Sequence, residues 1–211
     1  MEILKALNWR YATKSFDASK IIPEPKIQAI KEAFNLTPMS YGLQPVKLLV
    51  ISNKDLQHKL LEASFNQKQV TTASHVLVIC VEKEINKLFI ENYFDLVKQI
   101  RQTPDDILKP YREFLIDDFG KKDKDQTKQW AVNQAYLALG NILTVCAIEK
   151  IDACPMEGFL PAKYAEILNL DTDKIEPVLA MPVGYRSEDD QFSSFEKVRR
   201  PLEEMVIDIN N

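Results

Sequence analysis

The sequence is poor in glycine, histidine and cysteine, and these shortages exclude several kinds of site. Its five glycines form none of the patterns GxGxxG, GxxxxGK[ST] or GxSxG. The sequence therefore lacks the signatures of Rossmann dinucleotide binding, P-loop phosphoryl transfer and the α/β-hydrolase nucleophile. The two histidines, His58 and His75, belong to no HExxH motif or Cys/His cluster, so a zinc site has no ligands. His75 opens an apolar run, where a lone histidine is more typical of a structural residue than of a catalyst.

The cysteines indicate the cellular compartment, and the net charge indicates the class of partner. Cys80, Cys146 and Cys154 are an odd number without CxxC spacing, which predicts reduced, mostly buried thiols in the cytoplasm. A net charge of -4 favours no nucleic-acid partner, so we expect a small-molecule partner. The amino terminus has an early acid and no uninterrupted apolar run, which predicts an amphipathic helix rather than a signal peptide. No segment is apolar over enough residues to predict a membrane span.

Length and an apolar fraction of 45% predict one domain over residues 1–211, built from alternating strands and helices. Short, nearly continuous apolar runs predict strands covered on both faces at 46–52, 76–81 and 178–183. Helical periodicity predicts helices at 2–7, 25–34, 55–64, 85–101 and 104–119. Together these elements predict a layered α/β or α+β domain. Pro182 cannot donate to a ladder, so we expect it at a strand end or edge.

Two further segments have contrasting compositions. The mixed-sign run 117–128 predicts a solvated loop between helices. The stretch 129–150 carries apolar residues around nearly its whole circumference, which predicts a helix buried on all sides. Either a second subunit covers its outer face, giving a homodimer, or the helix lies at the centre of one subunit.

Four cations stand near the two ends of the chain, Arg10 and Lys14 at one end, Lys197 and Arg199 at the other. Arginine offers a planar fork to phosphate oxygens and lysine a mobile charge. The set therefore suits a ligand with a phosphate at one end and a polar ring at the other. The alternative is that the first pair follows a helix end and the second belongs to a solvated tail.

Two loops have compositions typical of binding segments. Residues 38–45, with the sequence PMSYGLQP, precede the first predicted strand, and residues 154–159 read CPMEGF. Loops placed by a rigid scaffold often carry binding groups, and Gly158 allows a ligand to approach the backbone. Taken alone, each loop is also explained as an ordinary turn.

The order of these segments resembles that of the nitroreductase family. The shared patterns are RxxxKxF near the amino terminus, PxSxxxQP before the first strand, PxEGF late in the chain, PVG in the last core strand and KxRxP near the end. The resemblance covers essentially the whole chain and is closest to the oxygen-insensitive NAD(P)H nitroreductase and dihydropteridine reductase branch. Each pattern is short, but five of them in register are specific.

This resemblance implies a fold and an assembly. The fold is a three-layer α+β arrangement in which helices flank a central, mostly antiparallel sheet. The assembly is an intertwined homodimer that binds two FMN molecules at its interface. The alternating segment 205–209 would add a strand to the partner's sheet.

The resemblance also implies roles for individual residues. Arg10, Lys197 and Arg199 would bind the FMN phosphate. Lys14 would lie by the pyrimidine edge of the flavin, where a cation stabilises the negative charge gained on reduction. Asn66 would hydrogen-bond the same edge. The rest of the implied cofactor-binding set is Tyr11, Ala12, Gly42, Gln69, the turn of Pro155, Met156, Glu157 and Gly158, and, from the second subunit, Pro38, Met39, Ser40 and Gln134.

The implied activity is a two-electron, ping-pong transfer of hydride from NADH or NADPH, through flavin N5, to an electron-poor acceptor. Nitroaromatics, quinones, enones and dihydropteridines are candidate acceptors. No side chain is identified as catalytic, and Lys14 and Glu157 are nearest to the chemistry by analogy. The implied substrate contacts are Tyr41, Phe65 and Ile116. The alternatives are another flavin chemistry, such as dehalogenation or dehydrogenation, and a flavin-binding protein without turnover.

The sequence departs from the pattern common in the family that it resembles at three positions of the implied site. Gln69 stands where they often have a lysine, Ala12 where serine is common and Gly42 where asparagine is common. Because Gln69 adds no positive charge beside the flavin, we expect a lower midpoint potential than in relatives with that lysine.

Overall fold

A four-stranded antiparallel sheet with the strand order β1-β2-β4-β3 lies at the centre of the protein. The computed structural model describes residues 1–210. The strands are β1 (Val46–Ile51), β2 (His75–Glu82), β3 (Asp152–Ala153) and β4 (Ile175–Gly184). The helices are α1 (Glu2–Trp9), α2 (Glu24–Asn35), α3 (Lys54–Ala63), α4 (Gln69–Thr72), α5 (Lys87–Arg101), α6 (Asp105–Gly120), α7 (Lys124–Ile148), α8 (Pro161–Ile167) and α9 (Leu202–Met205).

Helices cover both faces of the sheet, which confirms the predicted three-layer α+β fold. Side chains alternate along a strand, so β2 serves two cores at once. Leu77, Ile79 and Val81 pack in a core with α2, α5, α6 and α7. Val76 and Val78 point the other way, into a core with α3, α4 and α8.

The strands differ in how fully they are covered. The prediction of burial on both faces holds for β2, which is buried from His75 to Val81. It is wrong for β1, because β1 is an edge strand with Lys47 exposed and its middle only partly covered within one subunit.

Pro182 lies inside the sheet, which corrects the expectation of a strand end or edge. It pairs with Val76 two residues before the end of β4. The carbonyl oxygen of Pro182 accepts from Cys154 N at 3.0 Å. In an antiparallel strand the N–H and C=O of one residue point to the same side. The missing donor therefore faces the irregular β3 side, and the β2–β4 ladder is unaffected.

The charged run 117–128 is mostly helical, so the predicted solvated loop is wrong. Helix α6 continues to Gly120 and α7 begins at Lys124. Asp123 starts α7 with a capping box, since its side chain accepts from Gln126 N and the Gln126 side chain accepts from Asp123 N. Such a box satisfies two backbone donors that a helix start leaves free.

Helix α7 is buried on its inner face and exposed on the other. Ala135, Ala138 and Ile142 are buried against the sheet, whereas Leu137 and Ile148 are exposed. The prediction of burial on all sides is thus wrong for a single subunit. The length and apolar composition of α7 also meet those of a membrane span, so the expectation that no segment does so is wrong. Core helices commonly meet the same two criteria, so α7 carries no membrane assignment.

The carboxy-terminal segment returns to the amino-terminal one after β4. Asp17 N donates to Tyr185 O at 2.8 Å, and Ser187 N donates to Ser15 O at 2.9 Å. Residues 206–210 are exposed and, within residues 1–210, join no strand. The predicted pairing of 205–209 with a partner's sheet stays a prediction.

Candidate functional site

A buried carboxylate, Asp190, holds the two ends of the chain together. Its Oδ2 accepts from Lys14 N at 2.8 Å, from Ser15 N at 3.2 Å and from the Tyr11 hydroxyl at 3.1 Å. Its Oδ1 accepts from Phe192 N at 3.1 Å. A carboxylate offers about four acceptor positions, so one side chain satisfies donors from both segments.

This junction brings the four predicted cations to one place. Arg10, Lys14, Lys197 and Arg199 line a cleft of about 300 Å³ together with Tyr11, Ala12, Phe192, Phe195 and Glu196. Positions separated by nearly the whole sequence therefore form a single surface.

The electrostatics of the cleft indicate an anion. Burial, and next the charge of Arg199, lowers the pKa of Arg10. Burial, and next Arg10 and Arg199, lowers the pKa of Lys197. Nε of Arg10 is buried and has no hydrogen-bond partner among residues 1–210. A buried donor without a partner costs about 1–3 kcal/mol. A phosphate would supply both the acceptor and the opposing charge, so these residues fit a phosphate-bearing ligand.

Arg186, next to the cleft, is by contrast already neutralised. Its guanidinium donates to Oδ1 of buried Asp152 at 2.6 and 2.9 Å. The same group lies 4.4 Å from the centre of the Trp9 ring and 4.6 Å from that of Tyr11. Burial is the main cause that raises the pKa of Tyr11 to about 12. Arg186 therefore supports the wall of the cleft, and the other four cations are the ones available to bind an anion.

A second group of predicted residues surrounds the sulfur of Cys154. Lys14 Nζ lies 3.5 Å from Cys154 Sγ, and Gln69 Nε2 lies 3.9 Å from the same atom. Burial raises the pKa of the Cys154 thiol, although Lys14 opposes the shift. The thiol is thus a neutral, weak acceptor that leaves the charge of Lys14 available. Lys14 joins this group to the cation cleft.

The turn of residues 155–158 is fastened to β4 and to α7. Met156 N donates to Ala180 O at 2.7 Å, and Ala180 N donates back to Met156 O at 3.0 Å. The Tyr136 hydroxyl of α7 donates to Glu157 Oε1 at 2.5 Å, and this bond raises the pKa of Tyr136. Glu157 therefore already accepts a hydrogen bond within the same subunit.

The segment after α3 faces the same turn. Phe65 and Asn66 adopt positive φ values of 53° and 58°. This conformation is uncommon for residues other than glycine, asparagine and aspartate, and strained residues cluster at binding sites. It brings Phe65 and Gln67 beside Gly158, where a Cβ atom would lie 3.2 Å from Gln67 Nε2.

The predicted loop residues form a third group with α7. Ser40 N donates to Gln134 Oε1 at 2.9 Å, and Gln134 Nε2 donates to Trp130 O at 3.0 Å. Pro38, Met39 and Gly42 flank Ser40 in this loop, and Gly42 has a φ of 75°. A Cβ at Gly42 would lie 2.4 Å from Tyr93 Oη, which explains glycine at this position.

The three predicted substrate contacts fall in two places. Phe65 is exposed beside Gly158. Tyr41 and Ile116 both lie near Phe119. The centres of the Tyr41 and Phe119 rings are 6.0 Å apart, and Ile116 and Phe119 line the same cleft. Phe119 itself is a core residue. Within one subunit, Phe65 therefore groups with the Gly158 turn and the other two with the Ser40 loop.

Sequence reasoning missed Asp190, Gln67 and Tyr136 as members of the site, and it assigned Cys154 no role beyond its place in the loop of residues 154–159. Asp190 ends the acidic run of residues 188–190, which looks like solvated surface. Gln67 and Tyr136 carry no motif. Their roles depend on partners distant in sequence, so no local signal distinguished them.

Comparisons with known proteins agree with one another. The model of the nitroreductase family matches residues 7–185. A Staphylococcus haemolyticus protein, "Putative NAD(P)H nitroreductase SH0546", is 34% identical over 97% of this chain and 95% of its own length. The solved structure of ydfN from Bacillus subtilis has a TM-score of 0.88 at 21% identity and covers 99% of each chain.

An Exiguobacterium sibiricum protein solved in complex with FMN has a TM-score of 0.82 at 22% identity, over 98% of this chain and 95% of that one. The structural matches show a shared fold. The match to the family model and the relative that is similar over nearly its whole length show which family the chain is related to. The chain belongs to the nitroreductase family.

Proposed function

We propose that this protein is an FMN-dependent NAD(P)H oxidoreductase that reduces nitroaromatics, quinones or related electron-poor acceptors. The observation that carries the proposal is the cleft of Arg10, Lys14, Lys197 and Arg199, in which the buried Nε of Arg10 has no acceptor within the described residues 1–210. Membership of the family and the FMN in a protein of the same fold support the choice of cofactor.

Different residues would bind the phosphate and the ring of FMN. Arg10, Lys197 and Arg199 would bind the phosphate, because their charges already repel one another and gain most from an anion. Lys14, whose Nζ lies 3.5 Å from Cys154 Sγ, would face the ring. Asn66, Gln69 and the 155–158 turn would form the rest of the ring's surroundings. Residues 1–211 would act as one FMN-binding domain.

Bound FMN would supply the redox chemistry, taking a hydride from NADH or NADPH and passing it to the acceptor. The ammonium of Lys14 provides a fixed positive charge where reduction places negative charge, and such preorganised charge is worth most away from water. Glu157 is held by Tyr136, so protons for the acceptor would come from water. Phe65, exposed beside Gly158, offers an apolar surface to a flat substrate.

The site would be completed by a second copy of the chain. Pro38, Met39, Ser40 and Gln134 lie together but belong to a different group from Lys14 and Cys154. The outer face of α7 exposes Leu137 and Ile148 in a single subunit. A homodimer that covers this face would place one chain's Ser40 loop beside the other chain's cation cleft. The chain's three free, buried cysteines suit a reducing compartment, so we place the protein in the cytoplasm.

The test is to ask whether the purified protein is yellow, releases FMN on denaturation and bleaches anaerobically with NADH or NADPH. We expect all three, followed by reoxidation with a nitroaromatic or a quinone. Bleaching with poor turnover of both acceptors would favour dehalogenation or dehydrogenation. Flavin binding without reduction by either nicotinamide would favour a non-catalytic protein.

A matched pair of arginine variants tests the cleft itself. Arg10→Met should weaken FMN binding about 10-fold to 100-fold, since a hydrogen bond to a charged group is worth about 1.5–3 kcal/mol. Arg101→Met, on the exposed end of α5, should bind FMN like the wild type. A wild-type protein that cannot take up FMN would contradict the proposed function.

A further inference from the structure

Two glutamine side chains connect the predicted flavin surroundings to the 155–158 turn. Gln69 Nε2 donates to Gln67 Oε1 at 2.9 Å, and Gln67 Nε2 donates to Gly158 O at 2.8 Å. Gln69 is 4% exposed, so its amide is held in the interior. The lack of a side chain at Gly158 gives the Gln67 amide room, because a Cβ there would lie 3.2 Å from Gln67 Nε2.

The two bonds have a fixed direction. A backbone carbonyl oxygen such as that of Gly158 can only accept, so Gln67 must turn its NH₂ group toward the turn. The Oε1 atom of Gln67 then faces Gln69, so Gln69 must donate to it from its NH₂ group. Gln69 Nε2 also lies 3.9 Å from Cys154 Sγ and 3.7 Å from Met156 Sδ, both acceptors. The hydrogen bond to Gln67 Oε1 and the contacts with the two sulfur atoms therefore favour the same orientation of the Gln69 amide.

Because the NH₂ group of Gln69 faces Gln67, the Oε1 atom of Gln69 remains free to accept a hydrogen bond. Gln69 and Lys14 both contact the sulfur of Cys154, so this oxygen belongs to the same group of residues as Lys14. We propose that Gln67 is a positioning residue that fixes Gln69 with this oxygen toward the flavin and ties it to the 155–158 turn. The proposal rests on the FMN function proposed above. An oxygen dipole beside the ring opposes the negative charge of reduction, so the relay keeps the midpoint potential of bound FMN low.

A double-mutant cycle separates this role from mere packing. Gln67→Met and Gln69→Met keep the length of each side chain and remove the amide. Each should raise the midpoint potential of bound FMN and weaken FMN binding about threefold to tenfold. The double variant should match Gln69→Met, because Gln67 acts through Gln69 and coupled residues are not additive. Gln28→Met, on the exposed face of α2, is the control and should leave both quantities at wild-type values.

A second variant and measurement guard against misfolding. Gln67→Glu has nearly the shape of glutamine but cannot donate to Gly158 O when ionised, so it should fold and bind FMN at least as weakly as Gln67→Met. Melting temperatures of the flavin-free proteins report packing alone. Changes confined to melting temperature, or additive shifts of potential in the double variant, would overturn the positioning role while leaving the FMN function standing. A wild-type protein that binds no FMN would overturn both.

Discussion

At the scale of single residues, the junction at Asp190 is the point on which the cation cleft depends. In Asp190→Asn an NH₂ group would face the backbone donors of Lys14 and Ser15, or the side chain would flip and leave Phe192 N unpaired. A buried donor left without a partner costs about 1–3 kcal/mol. We expect the free energy of unfolding to fall by about 2 kcal/mol and FMN binding to weaken, as measured by urea unfolding and flavin titration.

The neighbouring Asp189 provides the control, since Asp189→Asn changes an exposed carboxylate with the same charge. It should leave both quantities near their wild-type values. Equal effects of the two substitutions would show that net charge, and not the junction, supports the cleft.

Gln69 carries a second prediction at this scale. Gln69→Lys would place an ammonium beside the Cys154 sulfur that Lys14 already contacts. Added positive charge stabilises the reduced, more negative flavin, so the midpoint potential should rise, and by more than in Gln69→Met. Spectroelectrochemical titration measures it. An unchanged or lower potential would contradict the expectation that this position sets the potential.

At the scale of elements, the start of β2 predicts a pH dependence of stability. Burial, and next the charge of Lys54, lowers the pKa of His75 from its ordinary 6.5, and its Nδ1 lies 2.9 Å from Ser74 Oγ. Below about pH 6.5 the unfolded chain therefore binds a proton that the folded protein does not. The free energy of unfolding should therefore keep its full value above pH 6.5. It should fall as the pH drops from 6.5 toward the pKa of His75 in the folded protein.

Urea unfolding at pH 7.5 and pH 5.5 measures this loss in variants of the two histidines. His75→Asn keeps a side chain that can bond Ser74, and should lose less stability between the two pH values than the wild type. His58→Asn changes an exposed position on α3 and should lose as much as the wild type. The opposite ranking would assign the pH dependence to other groups.

Elements were predictable where the pattern was local. The continuous apolar run and β-branched content of 76–81 were enough to predict β2, because burial on both faces requires such a run. The charged run 117–128 was misassigned because its lysines and aspartates suit a helix surface as well as a loop. Lys121 and Lys122 pair with Asp117 and Asp118 one turn earlier, a contact that composition does not reveal.

At the scale of the whole molecule, the outer face of α7 tests the proposed homodimer. Leu137 is 53% exposed in a single subunit. Leu137→Asp would bury a charge in the dimer interface, which costs far more than it does in water. We expect light scattering after size exclusion to show one chain instead of two, with loss of FMN because the Ser40 loop of the partner is withdrawn.

Leu96→Asp is the matched control, since Leu96 is 48% exposed on α5 and the substitution is the same. It should remain a dimer that binds FMN. A Leu137→Asp variant that stays dimeric and yellow would show that α7 does not form the interface.

The sequence by itself determined the family, the layered fold and the members of the cation set, because motifs in register and apolar periodicity are properties of the chain's order. Only the tertiary structure decided which residues act together. Asp190 meets Lys14, and Gln67 meets Gly158, through bonds that span 176 and 91 positions. Such pairings are settled by how segments distant in sequence pack together, since hydrogen bonds depend on distance in space and not along the chain.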